Sequence, residues 1–204
     1  FFEIDAQADS YMETQAARAR LVAADVVAAG APPVAAAGAR VAVAAGVAFA
    51  AIGSDTGGSI RFPSASCALV GLKPTYGRVS LYGAFPLANS MDHLGPMTRS
   101  VEDAARMLCV MAGYDAKDPN SLDVPVPNYM QSLCSAEDGA TPLAGSRIGI
   151  DWSYVSDGVE SAVVEVTRRA LGQLADLGAE VIKINVPPSA RILAEAWGLT
   201  CGVE

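Results

Sequence analysis

The feature that most constrains the fold lies in the last third of the chain. Ser146 to Asp151 (SRIGID) is a short apolar run, and Asp157 to Leu177 carries an amphipathic stripe of Val159, Val163, Val166, Ala170 and Leu174. Gly178 ends that stripe, and Glu180 to Val186 (EVIKINV) is a second apolar run. Strand, helix and strand in that order predict a βαβ unit, which requires parallel strands and a right-handed crossover. The expected architecture is therefore α/β, with a mixed, largely parallel sheet covered by helices.

The rest of the chain fits that class. Asp5 to Gly30 reads as a helix rich in Ala, Glu, Gln and Arg, stopped by Gly30, Pro32 and Pro33. Val34 to Ala51 reads as a small-residue helix that passes through Gly46 into a strand at Val47 to Ile52. Ser100 is an N-cap for a helix with Val101, Ala104, Ala105, Leu108 and Met111 on one face, closed by Gly113. Tyr114 to Pro142, rich in Asp, Pro, Ser and Asn, reads as an irregular surface segment.

Composition excludes several functions. With 14 basic and 22 acidic residues the chain carries a net charge of −8, the wrong sign for direct electrostatic grip on nucleic acid. A hydrophobic content of 51% is too high for a disordered chain. The longest uncharged runs, Val26–Ala39 and Val41–Ser54, are closed by charged residues and fall short of the ~20 needed to span a bilayer. The acidic start FFEIDAQADS is no signal peptide, and Phe1 in place of Met suggests a fragment or processed chain. Cys67, Cys109, Cys134 and Cys201 are scattered without a C-x-x-C pair, so they read as reduced thiols of a cytoplasmic protein, with neither a metal site nor a cofactor motif.

The chemistry points to Gly53-Ser54-Asp55-Thr56-Gly57-Gly58-Ser59-Ile60-Arg61. An apolar strand enters a turn whose glycines permit close backbone approach, so that successive N–H groups can face one concavity. Such a loop suits an oxyanion hole beside the Ser59 hydroxyl, a phosphate cradle, or an ordinary turn. Gly53 and Gly58 have P-loop spacing, but Ser59 stands where the lysine belongs and Asp55 adds a negative charge, which disfavours phosphate. The sole histidine, His93, follows Asp92, and neighbours on an extended chain face opposite ways. His93 therefore reads as structural. The lysines Lys73, Lys117 and Lys183 all follow the loop.

The run from Gly53 to Ala105, with GGSIR, GLKPTYGRVS and GPMTRSVEDAA in series, resembles the signature region of the amidase signature family. That family includes bacterial amidases, fatty-acid amide hydrolases and the amide-hydrolysing subunit of tRNA-dependent amidotransferases. The likeness extends over roughly residues 38 to 200, so the chain divides into a helical segment 1–34 and a partial amidase-like α/β domain 35–204. The resemblance implies a Ser-Ser-Lys hydrolase in which Ser59 is the nucleophile and the amides of Thr56, Gly57, Gly58 and Ser59 form the oxyanion hole. Asp55 and Arg61 are implied to support the loop as an ion pair.

Two parts of that machinery have no counterpart. The family's relay serine falls on Ala35, within PVAAAGAR where a serine-rich loop is expected, and the general-base lysine would lie upstream of Phe1. The expected function is a weak or inactive amidase acting on a small-molecule amide, without membrane or direct nucleic-acid contact and with oligomers or partner subunits possible. The amide-hydrolysing subunit of an amidotransferase and a non-catalytic fragment or paralogue are the alternatives.

Overall fold

The computed structural model describes residues 33–133, 141–185 and 190–204. The helix expected over Asp5–Gly30 lies outside these residues. The chain forms two compact units, Phe1–Leu133 with Leu199–Glu204, and Cys134–Gly198.

The first unit is built on helix α1 (Pro33–Ala44), strand β1 (Ala50–Ser54), helix α2 (Arg61–Ser66), strands β2 (Val70–Gly71) and β3 (Leu94–Thr98), and helix α3 (Val101–Met111). The strands form an antiparallel sheet of order β1-β3-β2. Ala50 lies opposite Thr98 and Ser54 opposite Leu94, while Val70 also faces Thr98 across the other edge of β3. Being central, β3 is covered on both faces: Gly95 through Thr98 are all buried.

The strand expected at Val47–Ile52 begins later. Gly46 adopts a positive φ of 74°, and the amides of Val47 and Ala48 fold back to the Ala42 carbonyl. This left-handed stop consumes residues that would otherwise extend the strand and leaves Val47 and Phe49 exposed. Arg99 adds a second clamp, donating to the carbonyls of Val43 (3.0 Å) and Ala48 (2.9 Å).

Helix α3 matches its expected bounds. The Ser100 side chain accepts from the Asp103 amide, satisfying one of the open donors at the helix start. Ala104, Ala105 and Leu108 are buried, whereas Val101 is exposed. With Val43, Ile60, Val79, Ala88 and Met97 they make up the core of this unit.

The second unit holds β4 (Arg147–Ile150), α4 (Trp152–Ser156), α5 (Ser161–Asp176) and β5 (Glu180–Lys183), followed by α6 (Ala190–Val203), which ends in the first unit. β4 and β5 pair in parallel, Arg147 opposite Glu180 and Ile150 opposite Lys183. Parallel pairing is confined to this unit among the described residues, so the α/β fold is mixed in strand sense. Which face of α5 turns inward differs from expectation. Val163 and Val166 are exposed, and the half-buried line runs through Val164, Thr167, Leu171 and Leu174. The helix carries two apolar edges, and a two-stranded sheet is narrow enough to cover only one.

Close packing at β3 sets a sharp limit on substitution. A Cβ on Gly95 would stand 2.1 Å from the Leu72 carbonyl oxygen and 3.1 Å from Ile60 Cδ1. Gly95→Ala is expected to destabilise the protein by about 3 kcal/mol, at the upper end for overpacked sites, which urea denaturation will measure. Gly172→Ala, at a position with no atom within 4 Å of an added Cβ, should be neutral or slightly stabilising in the same assay.

Candidate active site

β1 delivers the chain into the loop at residues 55–60, and α2 takes it away. Between them Asp55 is completely buried. A carboxylate out of water is costly unless its lone pairs are filled, and here they are. Oδ1 accepts from the Gly58 amide (2.8 Å) and Arg61 Nη2 (3.0 Å). Oδ2 accepts from Arg61 Nε (3.0 Å) and, at longer range, from the amides of Ile60 (3.3 Å) and Arg61 (3.4 Å). The loop is wrapped around its own acid. Burial pushes the Asp55 carboxyl upward, but the Arg61 guanidinium and the two amides outweigh it, so its pKa lies below the ordinary 3.8. The Arg61 guanidinium is held correspondingly above its usual range, chiefly by its hydrogen bonds to Asp55. Asp55 also anchors the loop base, since its N–H donates to the His93 carbonyl (2.9 Å) and its carbonyl accepts from the His93 amide (3.0 Å).

This wrapping leaves specific groups free. Gly58, at φ 130°, a conformation suited to glycine, directs its N–H to Asp55. The amides of Thr56, Gly57 and Ser59 have no hydrogen-bond partner among the described residues. Of the four amides named from the sequence, three are therefore open and the fourth is committed to holding the loop. Ser59 is exposed, and its hydroxyl is likewise unpartnered among the described residues. Thr56 and Ser59 border a cleft of about 100 Å³, whose lining also includes the apolar residues Phe85, Pro86 and Leu87.

His93 also lines this cleft, with both ring nitrogens occupied. Nδ1 lies 2.6 Å from the Met91 carbonyl, which can only accept, so Nδ1 carries the proton. Nε2 is thereby the acceptor for Lys73 Nζ at 3.1 Å; Lys73 also donates to the Pro74 carbonyl (2.9 Å). Neither group hydrogen-bonds Ser59. Among the described residues Asp92 makes no hydrogen bond to the imidazole and receives the Thr56 hydroxyl instead. Sequence reading misses that contact because it joins residues far apart in the chain, and local spacing sets Asp92 only against its neighbour. Ala35 lies in the first turn of α1, where the family pattern places a loop. Among the described residues no cluster of His, Cys, Asp and Glu could hold a metal, and no helix is long and apolar enough to cross a membrane.

Comparison with known proteins gives a consistent picture. A sequence model of the family described as Amidase matches residues 34–201. The chain is 48% identical over 149 residues to the A subunit of glutamyl-tRNA(Gln) amidotransferase from Oleidesulfovibrio alaskensis, covering 73% of this chain and 30% of that protein. It is 45% identical over 152 residues to an amidase of Pseudomonas putida, covering 74% and 31%. The crystal structure of the A subunit of glutamyl-tRNA(Gln) amidotransferase from Thermotoga maritima superposes with a TM-score of 0.70 at 33% identity, covering 81% of this chain and 35% of that one. The chain thus spans about a third of the length of these relatives.

The Asp55 cradle makes a pH-dependent prediction. Because the folded carboxyl titrates below 3.8, the unfolded chain takes up the proton first as pH falls. The stabilisation is complete above the ordinary carboxyl range and disappears on descending through the native value. Asp55→Asn should therefore cost about 2–3 kcal/mol at pH 7, the range for hydrogen bonds to a charged group. Its deficit relative to wild type should shrink near pH 3 in urea titrations at the two pH values.

Proposed function

The chain belongs to the amidase family, and from that premise we propose that the loop at 53–61 presents Ser59 as the nucleophile for cleavage of a carboxamide C–N bond. The observation carrying this reading is the conjunction of an exposed, unpartnered Ser59 hydroxyl with three open amides in a loop pinned by a buried acid. Ser59 Oγ adds to the amide carbonyl carbon, and the negative charge that moves to the carbonyl oxygen is received by the amides of Thr56, Gly57 and Ser59. Collapse of the tetrahedral intermediate breaks the C–N bond, and the proton given up by the Ser59 hydroxyl, exchanged through solvent, joins the nitrogen that leaves as amine or ammonia. The acyl group stays on Ser59 as an ester until water hydrolyses it.

Donors fixed in advance cost no reorganisation as charge develops, which is why such loops lower the barrier. Proton transfer is the weaker half of this chain. Ala35 stands at the family's relay position and has no hydroxyl. Losing members of a serine hydrolase's catalytic unit lowers turnover by about 10⁴–10⁶, so the alanine at the relay position predicts slow turnover.

A second reading is favoured by the relatives that are themselves A subunits of glutamyl-tRNA(Gln) amidotransferase. In it the same site liberates ammonia from glutamine for a partner protein. Ammonia release that appears only with glutamine and added partner subunits would select this reading over a free-standing amidase.

A fluorophosphonate probe tests the nucleophile. Labelling is expected to be slow, confined to Ser59 by peptide mapping, and abolished in Ser59→Ala. Fast stoichiometric labelling would mean that a base is present after all. Label on any other residue would overturn the assignment of Ser59.

A further inference from the structure

Asp92 is 7% exposed, and a carboxylate so buried ordinarily faces a cation. No ion pair reaches it among the described residues. Its oxygens are filled by neutral donors from two separate segments. Oδ1 accepts the Thr56 hydroxyl, while Oδ2 accepts the amides of Leu87 (2.8 Å) and Ala88 (3.0 Å). The Asp92 amide closes the turn by donating to the Ala88 carbonyl (2.8 Å). One side chain therefore joins the loop that carries Ser59 to the segment that carries Phe85, Pro86 and Leu87, apolar residues that also line the cleft.

The backbone pair between Asp55 and His93 already fixes the base of the loop, and Gly58 is held from within by Asp55. Between those points, Thr56 and Gly57 have no backbone partner among the described residues. The Thr56 hydroxyl is what restrains this stretch, through its hydrogen bond to the Asp92 carboxyl. We propose that Asp92 is a positioning residue for amide cleavage: acting through the Thr56 hydroxyl, it sets where the Thr56 and Gly57 amides stand relative to Ser59 and to those apolar residues. This role rests on the reading of Ser59 as nucleophile.

The test uses the full 204-residue chain, a saturable alkyl fluorophosphonate, and four variants: Thr56→Val, Thr56→Ser, Asp92→Asn, and the Thr56→Val/Asp92→Asn pair. Loss of folded protein lowers the final extent of labelling, whereas a displaced donor lowers the rate constant at saturating probe. Thr56→Val and Asp92→Asn should each reduce that rate constant about tenfold, less than the 10²–10³-fold that follows outright removal of a donor. The extent of labelling and the half-saturating concentration for Thr56→Val should match wild type. Thr56→Ser should restore the wild-type rate, and the double variant should be no slower than the slower single one, since both changes break one contact. An unchanged rate constant in Thr56→Val, or multiplied losses in the double variant, would overturn the role of Asp92 while leaving Ser59 as nucleophile. A wild-type chain that takes no label at Ser59 would overturn both.

Discussion

The buried carboxylate of Asp55 organises everything around it. Five donor groups converge on two oxygens, three of them main-chain amides of the same turn and two from Arg61. Enclosing an acid in this way has an energetic penalty that only a full set of donors offsets. The loop can therefore adopt few other conformations without stranding a charge. That is how a short glycine-containing segment, which would otherwise lose much freedom on folding, becomes rigid enough to hold amides in fixed directions. The same arrangement decides which amides stay open. Gly58 is committed inward, and the amides of its neighbours on either side are left unpaired among the described residues.

Rigidity in the loop is useful only if the loop is registered against its surroundings. β3 supplies that register. Leu94 pairs with Ser54, and the pairing continues into the Asp55–His93 backbone exchange, so the strand that ends at the loop and the strand that begins beside the cleft are locked together. Gly95 permits this closeness, because any side chain there would strike the Leu72 carbonyl. Sheet register, glycine packing and the Asp55 cradle thus act in sequence: the first two place the loop, and the third shapes it.

The parts of this design that are legible in the sequence share a property: their cause lies within a few residues. The Ser100 cap, the glycine turn and the Asp55–Arg61 proximity are all short-range, and a strand–helix–strand rhythm reveals β4, α5 and β5. What escapes sequence reading depends on partners far away in the chain. The antiparallel pairing of β1 with β3 links positions on either side of a long intervening segment. The inward face of α5 differs from the expected stripe because Val163 and Val166 are as apolar as Val164 and Leu171, and only the width of the neighbouring sheet chooses between them. Asp92 is visible as an acid beside the lone histidine, and its bonds to the Leu87 and Ala88 amides are local, but no local spacing indicates the Thr56 hydroxyl it also accepts.

That division between local and distant causes also separates the two halves of the proposed chemistry. Charge stabilisation can be housed in one turn, because amides that are neighbours in sequence can be made to face one point in space. Proton removal from Ser59 cannot, since a base needs a hydroxyl or amine carried in from another element and held within hydrogen-bond reach. His93, which lines the cleft, is bound to Lys73 and to the Met91 carbonyl, and among the described residues neither His93 nor Lys73 hydrogen-bonds Ser59. On the proposed reading, a segment can keep the donors of the loop in place while Ala35 stands at the relay position. In serine hydrolases, the fixed donors and binding alone sustain a residual ~10³–10⁴-fold acceleration over water. On the proposed reading, the amides of one loop set what charge stabilisation alone contributes, and a base brought to Ser59 by a second element adds to it.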